Sequence, residues 1–287
     1  MRGRLLGARC GVAVLALSVL TASGVAPSTP TLSASPAPLA PAVAGSFVVV
    51  DGPLLADRDI FPIPTPTPTP TATATPVNPL LGSVTSYKLR KWASGSVARW
   101  NPCAAIHYRV NLKYAPPGAL SDVTTAVARI TSVTGIAFVY DGTTTVIPQR
   151  GYGSNATITS YPPVVIAWAK TGTGVGTSNV LTSAALGVGG SSGISWVDGS
   201  GVALAVRSVT GIVVLNAKYN AMPAGFATVR GGARGGVLLH ELGHVLGLDH
   251  VTDTTQEMNP NAIDRSSYGN GDLAGLRKLG RAAGCIR

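Results

Sequence analysis

The densest chemistry in the chain lies between residues 233 and 250, ARGGVLLHELGHVLGLDH. His240 and His244 are four apart, which on an α-helix sets their side chains on one face about one turn apart. Two imidazoles so placed can converge on one tetrahedral ion with metal–nitrogen bonds of about 2.0–2.1 Å. Glu241 is rotated about 100° around the axis from His240. It is poorly placed as a third ligand and well placed to reach a water on that ion. Gly247 comes next. Glycine accepts positive φ, so the helix can end there and the chain can swing back to bring His250 to the same ion. Three neutral imidazoles leave a fourth position open for water, as a catalytic zinc site requires. The expectation is a single zinc ion held by His240, His244 and His250, with Glu241 as general base. Of the four histidines in the chain, three fall in this string, and Glu241 is one of only two glutamates. An apolar helix has no use for three imidazoles and a carboxylate unless something pairs with them.

The helix must be held by a core. Leu238, Leu242 and Val245 recur at i, i+4 and i+7, and Leu239 and Leu246 widen the apolar stripe. Ala105 to Leu112 alternates as a strand does. Leu120 to Thr134 has helical spacing at Val123, Ala126, Val127 and Ile130, with Ser121 or Asp122 as its cap. Ala137 to Tyr140 and Val164 to Ala169 read as strands, the second apolar throughout and so buried on both faces. The glycine- and serine-rich stretch from Thr171 to Gly193 reads as a long surface loop, and Val202–Val209 and Gly211–Ala217 as two further strands. This order of elements predicts a mixed α/β or α+β sheet. His107, outside the string, sits at strand spacing and reads as a core or sheet-face residue, not a ligand.

The folded domain is expected from Ser83 to Arg287. Arg2, Arg4 and Arg9 followed by the short apolar run Gly11–Leu20, with Gly24 and Ala26 as a cleavage pair, read as a signal peptide over residues 1–26. An uncleaved membrane anchor is the alternative, and the run is short for the about 20 residues a span needs. Residues 27–82 are rich in Pro, Ala and Thr. The repeat FPIPTPTPTPTATATP from Phe61 to Pro76 is expected to be extended and unpacked, a stalk that spaces the domain from a cell surface. With Cys10 in the leader, Cys103 and Cys285 are left near the two ends of the domain. In an exported protein they read as a disulfide, with two buried free thiols as the alternative. The net charge of +10 comes from scattered residues with no basic run, so nucleic acid is not an expected partner. A surface tolerant of polyanions or of cell wall accounts for it, and a secreted, monomeric protein is expected.

The string His240-Glu241-x-x-His244-x-x-Gly247-x-x-His250, with Met258 eight residues on in Glu257-Met258-Asn259-Pro260, resembles the zinc signature of the metzincin metallopeptidases. The spacing and the Met-x-Pro wording resemble the matrixin branch and its secreted bacterial relatives. Trp100–Asn111 is similar to the first strand of those proteins, and Asn270–Leu279 to their closing helix, with Asp272 as its cap. The resemblance implies an α+β fold with a twisted mixed sheet, an active-site helix and a C-terminal helix, following the disordered Pro/Thr-rich stalk. It implies Met258 as an apolar floor beneath the zinc, and hydrolysis of a protein or peptide substrate aligned by strand addition on an edge strand, expected at Val202–Val209. Three features depart from the family. Only His107 remains outside the signature, so the second, structural zinc of animal matrixins is not expected. The latency cysteine in its Pro-Arg-Cys-Gly context has no counterpart. The family's tyrosine two residues beyond Met-x-Pro is Ala262 here. Acidic residues are sparse, so calcium sites have no support in the sequence. A catalytically silent zinc-containing surface module and a zinc hydrolase acting on cell-wall material are the competing readings.

Overall fold

The computed structural model describes residues 81–92, 95–156, 160–197, 203–261 and 264–286, with side chains described for all of these except 195–197 and 203–206. The expected leader, all but the last two residues of the expected linker, and Ala262 lie outside the described residues. In chain order the elements are β1 (Lys88–Leu89), β2 (Ile106–Asn111), α1 (Ala119–Thr134), β3 (Phe138–Thr143), β4 (Val164–Thr171), β5 (Thr177–Ser178), β6 (Gly187–Val197), β7 (Ala203–Asn216), α2 (Arg234–Leu246), β8 (Leu248–Asp249) and α3 (Asn270–Leu279).

The period-2 pattern of β2 buries Ile106, Tyr108 and Val110 and leaves His107 and Arg109 on the other face. The main sheet runs β3-β2-β4-β7-β6, with the short β5 pairing with β4. β3, β2, β4 and β7 are parallel, and β6 closes one edge antiparallel to β7. The fold is therefore α+β around a mixed sheet. Ile106, Tyr108, Val110, Val164, Ile166 and Trp168 form one core with the apolar faces of the three helices. Ile212, Val214, Ala169 and Val188 belong to a second core, shared with Val180 and Leu181. β4, interior and flanked by β2 and β7, is buried from Val164 to Ala169, as its unbroken apolar run predicts.

Two strand expectations need correction. Residues 171–193 are not one long loop, because β5 and most of β6 lie within them. Residues from Ala203 onward form one strand that continues through Gly211 to Asn216, not two. β7 lies between β4 and β6 in the strand order, but β4 flanks only Ile212–Asn216; residues 203–209 pair with β6 on one side and meet the single bridge Trp100↔Ser208 on the other, and β6 ends the sheet.

Of the two aspartates expected as caps, Asp122 plays another role and Asp272 caps α3 from its third position. Gly118, at φ 79°, stands at the N-cap of α1. Asp122 is turned inward, where its Oδ1 accepts the Gly225 N–H at 2.9 Å and its Oδ2 lies 3.2 Å from Arg234 Nη2. Arg234 opens α2 and also donates to the Pro117 carbonyl at 3.0 Å. This buried ion pair ties the first turn of α1 to the first turn of α2. Asp272 is the third residue of α3, and its Oδ2 accepts the N–H of Gly269 at 3.0 Å and of Glu257 at 2.6 Å. Cys103 and Cys285 form a disulfide, with Cα atoms 5.4 Å apart across a separation of 182 residues. It ties the entry of β2 to the C-terminal turn. No helix among the described residues is long and apolar enough to cross a membrane.

Candidate metal centre

α2 presents His240 and His244 one turn apart on a helix whose other faces are walled in by the core. His240 is 7 % exposed, His244 2 % and Glu241 2 %. Gly247 ends the helix at φ 111°, and its N–H bonds back to the carbonyls of Gly243 and His244. A side chain there would be excluded twice. The left-handed φ disfavours a Cβ, and a Cβ would lie 2.1 Å from the Ala98 carbonyl oxygen. Directly after it β8 turns the chain back, and His250 completes the set.

The three imidazoles converge. His250 Nε2 stands 3.0 Å from His240 Nε2 and 3.1 Å from His244 Nε2. Tetrahedral ligands at about 2.0–2.1 Å from a metal stand roughly 3.3 Å from one another, so this donor set fits a zinc-sized ion with little adjustment. The orientation is enforced from behind. His240 Nδ1 donates to the Glu257 carbonyl at 2.7 Å, and His244 Nδ1 donates to the Leu248 carbonyl at 3.0 Å. A carbonyl can only accept, so both rings carry their proton on Nδ1 and direct a lone pair from Nε2 to the common point. Burial, then the neighbouring His240, His250 and Arg90, hold the His244 imidazole well below the usual histidine range, in its ligand form. The three histidines form a group able to hold a metal ion.

Glu241 is aimed at the sheet. A Cβ at Gly187 would lie 3.0 Å from both Cγ and Oε1 of Glu241, and one at Gly189 would lie 2.2 Å from the Glu241 carbonyl oxygen. The first residues of β6 are therefore glycine where the strand crosses α2, and they form the slot in which the carboxylate sits. Met258 is 1 % exposed and packs its Sδ against the backbone at Gly243, between the two helical histidines. Its surroundings are held by Asn259, whose Nδ2 donates to the carbonyls of Val251 and Thr252. Tyr268 also braces the helix by donating to the Leu239 carbonyl at 2.6 Å.

Of the residues read from the sequence as one site, His240, His244 and His250 are brought together, and Glu241 is buried on the same helix with its carboxylate against Gly187. His107 is apart from them, on the exposed face of β2, with Nδ1 2.9 Å from Asp141 Oδ1. Sequence reasoning missed the Glu257 carbonyl, Asp249 and the glycines of β6. Only the glycines had a signal, since Gly187 and Gly189 repeat at i and i+2 and mark one bare face of a strand.

Asp272 supports this site through Glu257, whose N–H it accepts and whose carbonyl holds His240. Burial pushes its carboxyl up to about 6, against the backbone N–H donors that oppose the shift. The unfolded chain releases that proton near pH 3.9. Between about pH 4 and 6 the folded chain holds more protons than the unfolded one, so this group's contribution to stability is lost as pH rises. The stability of Asp272→Asn relative to the parent should move in the variant's favour between pH 4 and 7 by roughly 3 kcal/mol. Urea denaturation at each pH measures the difference, and a pH-independent difference would contradict the shift.

Compared with models of known protein families the chain matches none, and a comparison with curated proteins finds no match either.

Proposed function

We propose that the chain is a secreted zinc-dependent endopeptidase of the metzincin kind, matrixin-like in its Met258 turn. The single observation that carries this reading is the convergence of three Nε2 atoms on a helix that also carries a buried glutamate in a glycine slot. Metal held by His240, His244 and His250 would supply a Lewis acid that acidifies a bound water and polarises the scissile carbonyl.

The chain's own residues do the rest. The Glu241 carboxylate takes the proton of the attacking water and delivers it to the amine nitrogen of the leaving peptide. β6, at the edge of the sheet and crossing α2 beside Glu241, offers main-chain donors and acceptors to an extended substrate. The buried Nδ1 contacts of His240 and His244 keep the ligand nitrogens aligned during turnover. The disulfide accords with an oxidising, extracellular setting.

The test is metal content and cleavage measured together. The purified protein should carry one zinc ion per chain, cleave casein or a quenched peptide library, and lose that activity to a chelator. Zinc uptake without cleavage of any peptide would favour a silent binding module. Release of fragments from cell-wall material alone would favour a wall hydrolase.

A further inference from the structure

The loop that delivers the third histidine is only three residues long after the helix stop. Leu248, Asp249 and His250 follow Gly247 directly, with Leu248 buried in the core and Asp249 and His250 half-buried beyond it. The outer side of the turn is supported from upstream in the chain. β1 pairs antiparallel with β8 in the register Lys88↔Asp249 and Leu89↔Leu248. The Arg90 N–H donates to the Gly247 carbonyl at 2.8 Å, and the Arg90 carbonyl accepts the Ala98 N–H at 2.8 Å. Residues 88–90 thus lie across the helix stop and the turn as a strap.

Asp249 joins the strap to the ligand. Its Oδ1 accepts the backbone N–H of His250 at 2.8 Å, and its Oδ2 lies 2.6 Å from Lys88 Nζ. The Arg90 guanidinium is buried behind the same turn, at 4 % exposure, and its charge acts on both Asp249 and Glu241. One carboxylate therefore closes the turn on itself, fixes the backbone of a metal ligand, pairs with Lys88 and lies in the field of Arg90.

We infer that Asp249 is a positioning residue of the metal centre, holding the His250 backbone through its Oδ1 so that the third imidazole meets the other two. The inference rests on the zinc reading above and adds a residue that touches neither metal nor substrate. It also makes the strap around β1 part of the centre, although more than 140 residues separate it from α2 in sequence.

Two substitutions separate the acceptor from the charge. Asp249→Asn keeps an oxygen for the His250 N–H and loses the negative charge, and Asp249→Ala loses both. The zinc dissociation constant of the full chain is measured by competition with a chromophoric chelator, alongside the melting temperature with and without zinc. Asp249→Ala should bind zinc about 10–100-fold more weakly, as loss of a group that orients a ligand does. Asp249→Asn should stay within about threefold of the parent on the same scale. The zinc-free melting temperature should change little in either variant, while the rise on adding zinc shrinks in Asp249→Ala. Zinc affinity in Asp249→Ala equal to the parent's would overturn the inference. So would an equal loss in Asp249→Asn, which would assign the effect to charge, or equal drops of both melting temperatures with affinity intact, which would assign it to general stability. A parent chain that takes up no zinc would overturn the zinc reading and this one together. A parent that binds and an alanine variant that matches it would overturn this one alone.

Discussion

Glu241→Gln should keep its zinc and lose peptide hydrolysis by about 10²–10⁴-fold, the range over which a positioned general base contributes. The substitution is nearly isosteric, and the slot allows little else. The side chain lies against Gly187 with Oε1 at the distance where a Cβ would already touch it, so the amide must occupy the place of the carboxylate. The His240 and His244 imidazoles are held by the Glu257 and Leu248 carbonyls, and His250 is delivered by the turn at β8. Metal uptake should therefore be unchanged while the amide, which cannot accept the proton of the attacking water, fails at the chemical step. Zinc content and kcat/KM on one peptide, measured on the same preparation, check both halves. Turnover within tenfold of the parent would remove Glu241 from the mechanism. Loss of zinc along with turnover would mean that the carboxylate holds the ligands and is not the base.

The parts of this site that the sequence reveals are those set by local periodicity. Four-residue spacing on a helix needs no tertiary information to place His240 and His244 together, and a glycine three residues on marks where the helix must stop. The apolar stripe of α2 and the unbroken run of β4 are likewise local facts with an obvious partner, the core. What the sequence hides is decided by distant neighbours. Asp122 reads as a helix cap because aspartate at a helix start caps more often than it pairs, yet Arg234, more than 100 residues on, draws it inward. Asp272 has a cap's composition and stands three residues past the N-cap of α3, where it serves Glu257 as well as its own helix. The strap around β1 carries no motif at all. Its role comes from register with β8, and register between two-residue strands leaves no trace in composition.

β6 is the sharpest of these failures, and it carries the second large expectation. The strand begins Gly187-Val188-Gly189-Gly190-Ser191-Ser192-Gly193, a composition depleted in strands and typical of loops. Its extended form comes from pairing along its length with β7, and Gly187 and Gly189 are bare where α2 crosses close at Glu241. A methyl group at Gly189 would lie 2.2 Å from the Glu241 carbonyl oxygen and 2.8 Å from its Cα. These are backbone atoms of a packed helix, so no rotamer change relieves the overlap, and either the strand or the helix must move. Gly189→Ala should therefore destabilise the fold by on the order of 3 kcal/mol, the upper end for overpacking. Movement of about 1 Å between β6 and Glu241 should also lower kcat/KM by about 10²-fold, as small misplacements at a reacting centre do. Gly174→Ala is the matched control, because nothing lies within 4 Å of a Cβ there. Denaturation midpoints and kcat/KM for the two variants decide the matter. If Gly189→Ala is as stable and as active as Gly174→Ala, the glycines of β6 are not there to admit the helix, and the slot around Glu241 needs another explanation.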